Sequence, residues 1–255
     1  VISELCQYDI DGFELDFMRF PPYFLQEQTG YAQRRDIMTG FIRSARKILD
    51  ETAKPGHKRY LTIRVPNRMR EYESLGIDLG LLDKEALVDV ITISPSYVSQ
   101  VESDIDLFRA WAPNTAIFYE TTHCAARGID PSWGRPSLQG DGYPVLFTSP
   151  VRYYTMANLA YRRGADGIQV FNFPYTRASG NGKPLHGGTY TPGEPPFEIF
   201  KNFHEKEWLA KQPQLYWINH WWKSGYHGRQ FALPKTFVLN TDEMLQLDVA
   251  LPDVA

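Results

Sequence analysis

The feature that most narrows the fold is an alternation. Short apolar runs rich in β-branched and aromatic residues recur along the chain, separated by stretches with helical spacing. Such runs, each followed by a helical pattern, are the signature of βα units and a parallel sheet. Five strands are predicted, at 10–17, 60–65, 88–94, 115–121 and 167–173. The clearest helix is 32–51, with Ile37, Phe41, Ala45, Ile48 and Leu49 placed on one face by their spacing. A second helix carries its own start signal, Ser149 as N-cap with Pro150 in the first helical position, and Gly164 as its stop. Two strands begin alike, with Asp11-Gly12-Phe13 and Asp166-Gly167-Ile168, as repeated βα units do.

These units predict an α/β fold of the (β/α)8 TIM-barrel kind, in which each strand shows one face to helices and one to the lumen. Period two then sorts the first strand: Phe13, Leu15 and Phe17 toward helices, Gly12, Glu14 and Asp16 toward the lumen. A full barrel takes roughly 250 residues, yet only five strands occur before residue 174. The expectation is therefore a barrel holding strands four to eight, with 1–8 as the end of a helix and a separate N-terminal barrel segment as a partner. Residues 175–196 are rich in Gly and Pro and read as a long loop, and 197–209 return to helical spacing as the closing helix. Residues 1–212 would form the C-terminal part of the barrel, and 213–255 a linker and the first strands of an antiparallel, β-sandwich-like domain. Trp208, Trp217, Trp221 and Trp222 read as glue between the two.

Charge and cysteine content exclude several classes. With 27 Lys+Arg against 30 Asp+Glu, a net charge of −3 and no basic block, nothing marks a nucleic-acid or anionic-membrane partner. No apolar run approaches the roughly 18 to 20 residues that span a bilayer. The only cysteines, Cys6 and Cys124, form no CxxC pair, and the histidines show neither HxH nor HExxH spacing, so no metal or cofactor is expected. No lysine falls within the five strands, which disfavours Schiff-base chemistry, and no GxSxG turn marks a serine nucleophile.

Catalytic groups of a parallel barrel stand at the carboxyl ends of its strands. The polar residues there are Glu14, Asp16 and Arg19; Arg64 and Asn67; Ser94, Ser96 and Tyr97; Glu120 and His123; and Asn172. Asp16 or Glu14 on one strand and Glu120 on another supply two acids at one height. Glycoside hydrolysis needs such a pair, one carboxyl protonated to donate to the leaving oxygen and one ionised to attack or activate water. An ionised group between Leu15 and Phe17 costs several kcal/mol unless paired, so Asp16 is either functional or held in an ion pair with Arg19. Glu14, one inward step below, is either catalytic or a buried partner of Asp16 or Arg64. Alternation puts Gln169 and Phe171 inward and Asn172 outward unless the strand bulges. After the fourth predicted strand comes a loop far beyond the usual two to six residues, with Arg127, Trp133, Arg135, Asp141 and Tyr143 as a sugar-stacking and hydrogen-bonding wall. Arg19, Arg64, Asn67, Tyr97, His123, Trp133 and Asn172 form the expected substrate-binding set.

The run Asp11-Gly12-Phe13-Glu14-Leu15-Asp16-Phe17-Met18-Arg19-Phe20-Pro21 resembles the DG-apolar-x-LD-aromatic-x-RFP signature of the glycoside-hydrolase-like TIM-barrel families of bacteria. Stretches 76–80, 153–167 and 229–234 are also similar to those families. The resemblance implies a secreted enzyme, extracellular or periplasmic, that degrades a polysaccharide and carries a β-sandwich after its barrel. It implies that Asp16 is an active-site carboxylate with Arg19 beside it. Retaining barrel glycosidases more broadly place the acid/base after strand four and the nucleophile after strand seven, which here implies Asp16 (or Glu14) and Glu120. The alternative is a non-catalytic carbohydrate-binding barrel. An open separation of Asp16 and Glu120 favours the enzyme, and both acids locked on Arg19 or Arg64 favour the binding protein.

Overall fold

The computed structural model describes residues 1–18, 22–95, 99, 103–127, 145–176 and 194–216. Their strands are β1 (Gly12–Asp16), β2 (Tyr60–Pro66), β3 (Val90–Ser94), β4 (Ala116–Thr122), β5 (Cys124–Arg127), β6 (Val145–Phe147) and β7 (Gly167–Phe171). The helices are α1 (Ile2–Leu5), α2 (Tyr31–Thr52), α3 (Tyr72–Leu75), α4 (Leu79–Lys84), α5 (Ile105–Trp111), α6 (Pro150–Arg162) and α7 (Lys206–Ala210). Five strands form one parallel sheet in the order β1-β2-β3-β4-β7, so the chain adds strands side by side in sequence. All five predicted strands are present, each within two residues of the expected bounds.

Alternation gives the sheet two unlike faces. Leu61, Ile63, Val65, Ile91, Ile93, Ile117 and Tyr119 are wholly buried against helices, together with Met38, Ile42 and Leu49 of α2, Phe108 of α5 and Met156 and Leu159 of α6. Phe13 and Leu15 join this core, and Phe17 is buried, as expected. The opposite face carries the polar residues Glu14, Asp16, Arg64, Thr92, Ser94, Glu120 and Gln169, with Phe171. A Cβ at Gly167 would come within 2.7 Å of the Phe118 ring, which would have to shift to admit it.

At the amino ends of the strands, a repeated device fixes register. The Asp89 backbone N–H donates to the Leu61 carbonyl while Asp89 Oδ2 accepts from Leu61 N–H at 2.8 Å. Asp166 does the same with Ile117, at 2.7 and 2.8 Å. Asp11 uses its carbonyl instead, accepting from Tyr60 N–H at 2.7 Å.

Three expectations are corrected. The buried stripe of α2 is Met38, Ile42, Ala45 and Leu49, whereas Ile37 and Phe41 are 51% and 47% exposed. The stripe also contains Arg34 and Arg46, whose guanidiniums reach the Glu73 and Arg59 carbonyls, so an apolar-only pattern places it one residue off. The closing helix is two pieces, a 3₁₀ turn Phe197–Lys201 and α7. Phe197, Phe200 and Phe203 recur every third residue, the period of the tighter helix, and the first two pack edge-on against Phe173. The long segment before α6 contains the antiparallel pair β5–β6. Trp208 packs on Tyr154 within the same unit, and Trp217, Trp221 and Trp222, with the rest of the expected second domain from 217 on, lie outside the described residues. Among the described residues no helix is long and apolar enough to cross a membrane.

Candidate active site

The polar face converges on Arg64. Register sets Arg64 of β2 beside Asp16 of β1 and beside Thr92 of β3, and the guanidinium extends over Ser94 to reach Glu120 of β4. Its Nε lies 2.5 Å from Glu120 Oε2 and its Nη2 2.9 Å from Oε1, a two-pronged pair. Nη2 also donates to Ser94 Oγ at 3.0 Å, and that hydroxyl donates to Glu120 Oε1 at 2.6 Å. Nη1 stands 3.0 Å from both Asp16 oxygens. The Phe171 ring lies on the guanidinium face, 4.3 Å from its central carbon.

Burial separates the three ions. Arg64 is 4% and Glu120 0% exposed at the side chain, but Asp16 keeps 35%. Burial opposes the Arg64 charge, and the hydrogen bonds and charges of Glu120 and Asp16 more than offset it, so its proton is held more tightly than usual. For Glu120, burial pushes the carboxyl up, while Arg64 and Ser94 pull against that shift. Three donors converging on its two oxygens suit the acceptor-only ionised form. Asp16 Oδ1 further accepts from Met18 N–H at 2.8 Å, which fixes the carboxyl at the strand end.

Glu14 points to the same face one step below Asp16. Thr92 Oγ1 sits between Glu14 Oε2, 3.5 Å away, and Gln169 Oε1, 2.9 Å away. Although β1 leaves its side chain open on one side, loss of water around the carboxyl raises its affinity for a proton; Arg64 opposes that rise and the Asp16 charge adds to it.

The remaining expected residues divide. Asn67 is buried just past β2, where its N–H donates to the Ser94 carbonyl. His123 is buried past β4, and its backbone joins the Phe171 carbonyl to Thr148 N–H. Asn172 follows β7 with φ +53, so the chain turns out of the sheet there. Arg19, Tyr97 and Trp133 lie outside the described residues, as do Arg135, Asp141 and Tyr143. Arg64, expected to bind substrate, has every guanidinium nitrogen engaged within the protein. Thr92 was not anticipated, although its β-branched polar side chain in alternation with Ile91 and Ile93 is the signal that marks it. Among the described residues no His, Cys, Asp and Glu group is arranged to hold a metal ion.

No protein-family model matches the sequence, and no curated protein matches it. Among solved structures the chain is similar to a glycoside hydrolase family 18 N-acetylglucosaminidase from Paenibacillus barengoltzii, with a TM-score of 0.46 and 12% identity over 67% of this chain and 68% of that one. What fold and site define is an α/β protein with a five-stranded parallel sheet and an acid–arginine network on its polar face.

Proposed function

We propose that the protein is a glycoside hydrolase of the barrel type that cleaves a polysaccharide through carboxyl groups at the carboxyl end of β1. The observation that carries this reading is the pair Glu14 and Asp16, exposed on the polar face and held in unlike surroundings. Neighbours on one face of a strand stand roughly 6 to 7 Å apart along the backbone, which puts both carboxyls on one side of the same stretch of sheet. Glu14, with its raised affinity for a proton, donates to the leaving oxygen. Asp16, accepting at both oxygens from Arg64, meets the positive charge that develops at the anomeric carbon, by attack or through a water. Glu120 is covered on both oxygens and wholly buried, which suits an anchor for Arg64 better than a nucleophile.

The test is hydrolysis of a panel of polysaccharides and aryl glycosides by the protein and its Asp16→Asn and Glu14→Gln variants, with circular dichroism to verify folding. Each substitution should lower kcat by about 10² to 10⁴. Cleavage that survives both would sink the assignment.

A second reading has its own observation: Arg64 engages Asp16 and Glu120 together, which is the arrangement expected of the binding protein and counts against Asp16 and Glu120 as the reacting pair. Under it the protein is a carbohydrate-binding barrel, and the same panel would show binding, no cleavage, and indifference to both substitutions.

A further inference from the structure

Glu120 and Ser94 are wholly buried on the polar face, and both bond to Arg64. A buried ion pair is weak evidence for stability, because desolvating both charges offsets most of their attraction, and apolar replacements of equal volume serve as well or better. The question is therefore what the pair holds in place. Three contacts act on the Arg64 guanidinium in three different senses. The Glu120 fork fixes its direction within its own plane, at 2.5 and 2.9 Å. The Phe171 ring, 4.3 Å away, fixes the plane itself. Ser94 closes a triangle by accepting from Nη2 and donating to Glu120 Oε1, so the fork cannot pivot without breaking a second bond. One corner, Nη1, remains, and it meets both Asp16 oxygens at 3.0 Å.

We infer that Ser94 and Glu120 are positioning residues, acting through Arg64 to hold the Asp16 carboxylate in a single orientation toward the substrate. This deepens the glycoside-hydrolase reading and rests on it for its consequence in turnover. The positioning itself is a property of the folded protein, whatever it does. Lysine could not replace Arg64 in this role, since an ammonium is a point charge without three corners in one plane.

Two measurements test the inference, one independent of activity. A guanidinium held on three sides does not rotate about its Nε–Cζ bond on the NMR timescale, so the two Nη nitrogens of Arg64 should give separate ¹⁵N signals, assigned by their loss in Arg64→Lys. Ser94→Ala should merge or broaden them, and Ser94→Thr, which keeps the hydroxyl, should restore them. Merged signals in the unsubstituted protein, or separate signals in Ser94→Ala, would overturn the inference. In turnover, Ser94→Ala should lower kcat by about tenfold with KM little changed, as expected when a reacting group is misaimed, and Ser94→Thr should recover it. A loss in Ser94→Ala that appears equally in KM, or that Ser94→Thr does not repair, would also count against it. If the protein cleaves no glycoside but the Arg64 signals behave as described, the reaction assignment falls and the positioning network stands.

Discussion

At the amino ends of the strands, carboxylates are tied to backbone, and each keeps a cation partner that reaches water. Asp89 pairs with Arg46 and Lys58 while accepting from Leu61 N–H, and Asp166 pairs with Arg109 while accepting from Ile117 N–H. At the carboxyl ends, Arg64 and Glu120 are withdrawn from water and hold side chains: each other, Ser94 and Asp16. The first arrangement fastens strands to one another, and its cation partners stand 10% to 59% exposed. The second fastens no strand that the ladder does not already hold, and it costs desolvation of two charges. TIM barrels keep stability at the amino-end face and chemistry at the carboxyl-end face, and the proposed glycoside hydrolase would divide its two faces in the same way.

The sharpest way to break this comparison is Glu120→Ala. It leaves Arg64 buried with Asp16 as its remaining anion, and removal of one partner from a buried pair costs about 3 to 5 kcal/mol. Urea unfolding should show that loss. A change below about 1 kcal/mol would mean that water reaches the pair and that the carboxyl-end face is not set apart by burial.

The next effect belongs to the opposite end. Asp89→Ala removes the acceptor of Leu61 N–H, and an unpaired buried donor costs about 1 to 3 kcal/mol. Stability should fall by that amount while binding or cleavage of carbohydrate is unchanged, because the substitution lies at the far ends of the strands. An equal loss of activity in the folded variant would erase the division of labour between the two faces.

How much of this was legible in the sequence follows from what each feature depends on. Strand positions and their inward and outward sides were legible because period two depends on neighbours in the chain: Phe13 and Leu15 against Glu14 and Asp16 sort themselves. The cap of α6 was legible for the same reason, with Ser149 accepting from Arg152 N–H directly before Pro150. The face of α2 was misplaced because Arg34 and Arg46 bury their stems and satisfy carbonyls from distant segments, which no local pattern reveals. The site was half legible. Asp16, Glu14, Arg64 and Glu120 could be named from their places at strand ends, but Arg64 joins residues 48 positions away on one side and 56 on the other. Its use as a clamp rather than a substrate ligand depends on those long-range partners.

A smaller effect sharpens the contrast from the amino-end face. Arg43 forms a two-pronged pair with Glu85 at 2.7 to 3.0 Å, but Arg43 is 53% exposed. Exposed pairs contribute below about 1 kcal/mol, so Arg43→Ala should lower stability by no more than that, with the difference fading in high salt. The same bonding pattern in Arg64 and Glu120 should resist salt, since buried pairs are screened far less. Equal salt sensitivity of the two pairs, measured in double-mutant cycles, would show that the geometry of the fork rather than its burial decides its strength.

The smallest effect is a slope rather than a size, and it belongs to Glu14. Its carboxyl is raised in the folded protein, chiefly because water is removed around it. A carboxyl whose folded value exceeds its unfolded one binds its proton more tightly when folded, so protonation favours the native state. The contribution is fully present below the ordinary glutamate range and is lost as pH rises through the raised folded value. Denaturation midpoints measured across that window should fall less steeply with rising pH in Glu14→Gln, which keeps the shape but cannot ionise, than in the unsubstituted protein; Glu120, also raised by burial, contributes to both. A slope undiminished in Glu14→Gln would assign the proton to another group, and would remove the distinction between Glu14 and Asp16 on which the direction of proton transfer depends.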